Sequence, residues 1–229
     1  RPGTHVFAAM YAALGVLAMV AIGGRFESVQ IGLGGGNIHV DSPFTIAAVS
    51  ISMALFATMN IAAIAGGAAC RDVEEGMHPL VYATPVGKWT FLGSRWLASL
   101  LISGWVVAAI PVGLLFGALL PIVEPERIGS WDLWSGVQTF AGWLLPNLVF
   151  LTALFFGLAA LTRRMFPNYI GGVLLLVGYL GSTTITADLD NEVLAAMIDP
   201  FGPAAFDYQT RYSSPFASGA YARPWKPVA

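Results

Sequence analysis

The chain has 229 residues, of which 56% are hydrophobic and only 10% are charged, and its formal net charge is −2. An ordinary soluble domain carries roughly 25% charged residues, so the composition excludes a soluble globular protein, and the high apolar content excludes intrinsic disorder. The weakly acidic balance gives no basic surface for nucleic acid. A single cysteine, Cys70, excludes an intramolecular disulfide and a cysteine-based metal cluster. We therefore expect an integral membrane protein.

Five segments contain no Asp, Glu, Lys or Arg. Each is close to or longer than the roughly 20 residues that a helix needs to cross a bilayer. Backbone groups in hydrocarbon must be paired within their own segment, and the alternation typical of barrel strands is absent, so these segments are predicted to be helices. The predicted fold class is all-α, a polytopic transmembrane helical bundle. Its five expected spans are about 6–24, 44–68, 97–121, 136–161 and 166–186.

The distribution of positive charge between the predicted loops indicates the orientation. Six residues lie on the side of the N-terminus: Arg1, Arg71, Lys88, Arg95, Arg163 and Arg164. Only Arg25 and Arg127 lie on the other side before the last span. Because cytoplasmic loops carry an excess of Lys and Arg, we expect a cytoplasmic N-terminus. The predicted location is the cell inner (plasma) membrane, as a multi-pass protein.

Motifs that would indicate chemistry are missing from the sequence. The glycine-rich stretch 32–36 lacks the Lys and Ser/Thr of a P-loop, and Asn37 stands where a dinucleotide fingerprint needs its third glycine. The acidic cluster 188–192 has Val193 where a calcium loop needs glycine. We therefore expect no catalytic, cofactor-binding or metal-binding residues, and no enzyme. The absence of charge within the predicted spans argues against a proton- or ion-coupled carrier.

The segment between the second and third spans is the most informative part of the chain. Residues 71–92 combine both signs of charge with apolar residues, and a short helix around 80–82 is predicted to lie at the membrane interface until Thr84-Pro85 ends it. Such an amphipathic cytoplasmic loop is a natural docking element for a partner. An ordinary connecting loop is the alternative.

The motif Arg71-Asp72-x-Glu74-Glu75-Gly76, followed by Thr84-Pro85, resembles the cytoplasmic loop of ABC-2-type transporter permeases. It is most similar to the branch in which membrane spans precede a zinc aminopeptidase domain. Further similarity at 199–202 and 210–212 extends the resemblance over residues 1–212, the expected transmembrane domain. The resemblance implies that this loop contacts a separate ATPase subunit. The implied ATPase-coupling residues are Arg71, Asp72, Glu74, Glu75, Gly76, Thr84, Pro85 and Lys88.

The resemblance implies a membrane-spanning permease subunit of an ABC-type exporter, which couples ATP hydrolysis on a partner subunit to transport. Its implied partners are an ABC ATPase subunit, the lipid bilayer and a second permease copy. The alternative is a non-transporting membrane anchor or scaffold for an associated peptidase domain. After Tyr212 the chain departs from the family and lacks its sixth span and peptidase domain, so we expect a truncated product or part of a longer protein. The tail 213–229 is expected to be disordered.

Overall fold

The structure of this chain is a computed structural model that describes residues 2–22, 43–77, 87–121, 133–186, 201 and 203. Within these residues the regular secondary structure is entirely helical. The all-α fold class predicted from the sequence is therefore confirmed. The glycine-rich stretch 32–36, the acidic cluster 188–192 and the tail 213–229 lie outside the described residues.

Six α-helices are described, and a wide π-helical turn, Phe140–Leu144, joins the fourth to the fifth. The helices are α1 (Pro2–Val20), α2 (Pro43–Glu74), α3 (Lys88–Ala118), α4 (Leu133–Thr139), α5 (Leu145–Thr162) and α6 (Phe166–Thr186). Four described segments are long and apolar enough to cross a membrane: Gly3–Val20, Thr45–Glu74, Lys88–Ala118 and Gly136–Thr162. A shorter apolar helical stretch, Phe166–Gly181, follows them. These lengths and compositions support a multi-pass membrane protein.

The helices around the second and third spans are longer than the sequence predicts. The second span was expected to end at 68, but α2 continues to Glu74, and the third was expected to begin at 97, but α3 begins at Lys88. Absence of charge marks the part of a helix that lies in hydrocarbon, whereas the helix itself continues until a capping residue ends it. The prediction of an amphipathic loop over 71–92 is therefore wrong at both ends. The predicted helix around 80–82 lies outside the described residues.

The chain divides into two compact units. Unit 1 consists of Arg1–Ala54, Val106–Leu144 and Leu189–Ala229, and unit 2 consists of Leu55–Trp105 and Leu145–Asp188. Each unit combines parts of several helices, because α2 and α3 both contribute to the two units.

Unit 1 is built on very close packing of α1 against the second half of α3. A Cβ atom at Gly113 would overlap the carbonyl oxygen of Ala12, and one at Gly15 would lie within 3.1 Å of three backbone atoms of α3. One turn further on, a Cβ at Gly117 would lie 2.7 Å from Met19 Cβ. The contacts advance in the same direction on both helices, so α1 and α3 run parallel. Gly113 and Gly117 form the small-x-x-x-small pattern that allows membrane helices to approach closely.

Unit 2 is held together by contacts among α2, α3, α5 and α6. Near the C-terminal end of α2, the Cys70 thiol donates a hydrogen bond of 3.3 Å to the Ala159 carbonyl of α5. The C-terminal ends of α2 and α5 therefore lie side by side.

Candidate functional site

The charged side chains of the described residues all belong to unit 2. They occupy the end of α2, the first two turns of α3 and the link between α5 and α6, and they are Arg71, Asp72, Glu74, Glu75, Lys88, Arg95, Arg163 and Arg164. The bond between Cys70 and Ala159 brings the end of α2 beside the end of α5. These residues consequently share one end of the unit, which we call the charged end of unit 2.

A glycine ends α2 at this surface. Gly76 has a φ of +68°, a left-handed conformation that glycine adopts without steric cost. The Met77 N–H donates to the Asp72 carbonyl at 2.8 Å and the Gly76 N–H to the Val73 carbonyl at 3.3 Å. This pair of bonds is the Schellman motif, which satisfies the last carbonyls of a helix. Gly76, predicted as an ATPase-coupling residue, therefore has a structural role in setting where α2 stops.

Arg95 fastens the start of α3 to the end of α2. Its Nη2 donates to Asp72 Oδ1 at 2.6 Å, and its Nη1 donates to the Ala68 carbonyl at 3.1 Å. The guanidinium also lies 4.4 Å from the centre of the Phe91 ring, within the range of a cation–π contact. The side chains of Arg95 and Asp72 are only 26% and 16% exposed. The carboxylate of Asp72, a predicted coupling residue, is thus paired with Arg95 and mostly shielded from solvent.

Arg95 is one of three residues of this surface, with Arg163 and Arg164, that the predicted coupling set omits. Arg95 is the eighth residue of α3 and directly precedes an apolar run that begins at Trp96. The signal in the sequence that could have identified Arg95 is its position as a single arginine at the edge of an apolar helix. Its partner could not be read from the sequence, because Asp72 lies 23 residues earlier on another helix.

Other charges at this end remain accessible. Arg71 and Glu75 form a surface ion pair of 2.9 Å in which both side chains are about half exposed, a kind of pair that contributes little stability. Glu74 and Lys88 are exposed as well. Of the predicted coupling residues, Arg71, Glu74, Glu75 and Lys88 are therefore accessible, while Thr84 and Pro85 lie outside the described residues.

The link between α5 and α6 adds two exposed arginines to the charged end. Arg163 has a φ of +55°, which is uncommon for a residue with a side chain. Its N–H donates to the Ala159 carbonyl at 2.8 Å and so closes the last turn of α5. Arg163 and Arg164 are both exposed, and the sequence prediction used them only to assign the orientation. With them, the charged end has five positive and three negative residues.

Directly below the charged end, a buried asparagine joins three helices. Asn168 of α6 is fully buried, and its Nδ2 donates to the Ala62 carbonyl of α2 at 3.2 Å and to the Phe155 carbonyl of α5 at 3.0 Å. Gly66 makes room for this amide, since a Cβ there would overlap Nδ2. The helices that carry the charged end are thus tied together by polar contacts on their buried side.

No known protein family, characterised protein or solved structure matches this chain. Function is consequently inferred from the residues of the charged end, their geometry and the motif at 71–76.

Proposed function

We propose that this chain is the membrane-spanning permease subunit of an ABC-type exporter, and that the charged end of unit 2 contacts the partner subunit that hydrolyses ATP. The resemblance of residues 71–76 to the loop of ABC-2-type permeases supports this proposal. The observation that carries it is the braced helical hairpin of α2 and α3, in which Arg95 connects the two helices directly below an exposed charged tip.

A coupling element must transmit displacement as well as bind. A partner can shift the permease between two states only if it binds those states with different free energies. Because the exposed charges are carried by helix ends or by residues next to them, a displacement of this surface moves two helices rather than a free loop. The bonds from Arg95 to Asp72 and Ala68 oblige α2 and α3 to move together.

The lengths of the two helices fit a surface that a water-soluble partner can reach. α2 has 32 residues and α3 has 31, which corresponds to about 48 Å and 46 Å. The hydrocarbon core of a bilayer is about 30 Å thick. The apolar parts of both helices end at the charged residues. The part of each helix that exceeds the hydrocarbon thickness therefore extends out of the bilayer at the charged end of unit 2.

The exposure and contacts of these side chains support a smaller set of proposed ATPase-contact residues. In this proposal Arg71, Glu74, Glu75 and Lys88 make the contact. Asp72 and Gly76 position the surface instead, the first through Arg95 and the second by ending α2.

Site-specific photocrosslinking in native membranes tests the proposal. A photoreactive amino acid at Glu74 or Lys88 should crosslink to a protein that contains a P-loop, identified by mass spectrometry. The control position is Phe150 of α5, which is 48% exposed on an apolar helix and should crosslink to no ATPase. A Glu74→Arg variant should lower the ATPase activity that co-purifies with the chain.

The same experiment distinguishes the alternative, a non-transporting membrane anchor or scaffold for a peptidase domain. If the chain is such an anchor, no position should crosslink to an ATPase, whether or not a peptidase is captured.

The proposal also requires that the charged end of unit 2 faces the cytoplasm. Labelling of a Gly76→Cys variant by an impermeant reagent from outside the cell would contradict the proposed function.

A further inference from the structure

The two arginines of the link between α5 and α6 have no partner of opposite charge in the described part of the chain. The ion pairs found there belong to the ends of α2 and α3, and none joins either arginine to Glu74, the remaining described carboxylate. Between residues 133 and 187 the sequence contains no Asp or Glu. Arg163 and Arg164 are both exposed, so their guanidinium groups are accessible to an anion that approaches from outside.

Large apolar side chains flank this pair on both helices. Leu161, two residues before the pair, is 85% exposed, and Phe166, two residues after it, is 70% exposed. Tyr169, on the next turn of α6, is exposed as well. In a membrane protein, exposed apolar side chains of this size contact lipid, and tyrosine is enriched where lipid meets water. The arginine pair therefore lies at the edge of a lipid-facing surface.

The short apolar part of α6 brings the pair close to the lipid headgroups. The apolar stretch Phe166–Gly181 is about 24 Å long, less than the roughly 30 Å of the hydrocarbon core. α5 carries no charge and ends at Thr162, directly before the pair. Arginines that flank such a short apolar stretch extend their side chains toward the headgroups. Arg163 and Arg164 are consequently within reach of lipid phosphates.

Hydrogen bonds hold the backbone of the link in one conformation. The bond from the Arg163 N–H to the last turn of α5 closes one end of the link, and the Asn168 N–H donates to the Met165 carbonyl at 3.0 Å at the other end. Between them, the Thr162 hydroxyl lies 3.3 Å from the Arg164 carbonyl, to which it donates. Two neighbouring side chains on an ordered backbone lose less freedom when they bind a common ligand.

A phosphate group is the anion that best suits this surface. The planar guanidinium binds phosphate through two parallel hydrogen bonds, and two adjacent arginines can share one headgroup. A phospholipid also carries acyl chains, which would cover the exposed side chains of Leu161 and Phe166. An acidic segment of a water-soluble protein would match the charge of the pair but not its apolar surroundings.

We propose that Arg163 and Arg164 bind the headgroup of an acidic phospholipid whose acyl chains lie along Leu161 and Phe166. The headgroup supplies the negative charge that the described residues around the link lack. Acidic lipids are a component of the cytoplasmic leaflet, which is the leaflet at the charged end in the proposed orientation. This inference goes beyond the proposed transport function and does not depend on it, because it requires only the bilayer.

Lipid titration tests the site. The full chain, purified in an uncharged detergent, is titrated with phosphatidylglycerol or with phosphatidylcholine, and bound lipid is counted by native mass spectrometry. The double variant Arg163→Gln/Arg164→Gln is compared with Arg71→Gln/Lys88→Gln, which removes the same number of positive charges from the same end of unit 2. The unfolding temperature of each variant without added lipid shows whether it is folded.

The unsubstituted chain should bind phosphatidylglycerol at least roughly tenfold more tightly than phosphatidylcholine. Arg163→Gln/Arg164→Gln should abolish this preference, whereas Arg71→Gln/Lys88→Gln should change it by less than roughly twofold, because only the arginine pair contacts the headgroup. An equal loss in both variants would indicate general attraction by net charge and would overturn the site. No preference in the unsubstituted chain would overturn the proposal and favour an acidic protein partner.

Two further measurements identify the ligand. Inorganic phosphate should not displace phosphatidylglycerol, because it lacks acyl chains; displacement at millimolar phosphate would indicate a site for the free anion and overturn the assignment to a lipid. Phe166→Ala should weaken binding of phosphatidylglycerol, and an unchanged affinity would contradict the acyl-chain contact.

A charge-conserving variant keeps the test decisive if the glutamine variant fails to fold. Arg163→Lys/Arg164→Lys retains both positive charges but loses the two-pronged geometry of guanidinium. It should bind phosphatidylglycerol several-fold more weakly than the unsubstituted chain does. An unchanged affinity would show that the guanidinium groups do not hold the headgroup, and the proposal would be wrong.

Discussion

The bond between Arg95 and Asp72 offers the most direct test of the braced hairpin. Asp72→Asn keeps the size of the side chain and removes its charge. Arg95 would then retain a weaker, neutral partner for Nη2, in an environment where its side chain is only 26% exposed. Its bond to the Ala68 carbonyl would remain.

The expected cost follows from this partial burial. The guanidinium stays charged, so the variant keeps a charge-assisted hydrogen bond and loses only the ion pair. Exposed ion pairs contribute roughly 0–1 kcal/mol, so losing this partly buried pair should cost about 1–2 kcal/mol. The cost should be below the roughly 3–5 kcal/mol for a fully buried pair that loses one partner. For a protein of this size it corresponds to roughly 2–8 °C in unfolding temperature.

The assay is thermal unfolding of the chain in nanodiscs, followed by tryptophan fluorescence. Glu75→Gln is the matched control, because it breaks an ion pair on the same helix end whose side chains are about half exposed and should cost less than about 0.5 kcal/mol. A double-mutant cycle of Asp72→Asn with Arg95→Gln measures the coupling. If Asp72→Asn costs no more than Glu75→Gln, or the cycle shows no coupling, the two helices are not braced here.

Four further predictions probe other features described above. Gly76→Ala should destabilise by about 1 kcal/mol, because its left-handed conformation disfavours a Cβ, as thermal unfolding would show. Arg163→Gly should be stabilising by a similar amount for the same reason, since Arg163 also has a left-handed backbone conformation. Gly113→Ala should cost about 1–3 kcal/mol by forcing α1 from α3, whereas Gly157→Ala, with nothing within 4 Å, should not destabilise. Asn168→Leu should cost about 1 kcal/mol through two lost interhelical bonds, measured in nanodiscs.

Fold class was predictable because apolar length and the need to pair backbone groups leave few options in lipid. The bounds of α6, Phe166–Thr186, equal those of the last predicted segment, since the charged pair Arg163-Arg164 and Pro167 mark its start. Its apolar stretch, Phe166–Gly181, is shorter than the four described segments that are long enough to cross a membrane. The start of α3 at Lys88 was missed by nine residues. Polar residues such as Lys88 and Thr90 can be helical outside the hydrocarbon. Hydropathy therefore marks where α3 enters the bilayer but not where the helix begins.

Packing partners were less predictable than helices. The pattern Gly113-x-x-x-Gly117 is visible in the sequence, but the helix that it faces is not, because α1 lies about a hundred residues earlier. The three-helix junction at Asn168 joins residues 106 and 13 positions away. Such contacts depend on how helices are arranged in space, and a single sequence with uniformly apolar spans leaves many arrangements with similar burial.

The close parallel pairing of α1 and α3 has an electrostatic consequence. Aligned peptide groups give each helix a macrodipole, and two macrodipoles that point the same way repel side by side. The close approach of the backbones at Gly113 brings dispersion contacts that oppose this repulsion, and dispersion declines within a fraction of an ångström of added separation. Dipolar repulsion falls off much more gradually. We therefore expect the contact between α1 and α3 either to form completely or to be lost, with little tolerance for an intermediate spacing.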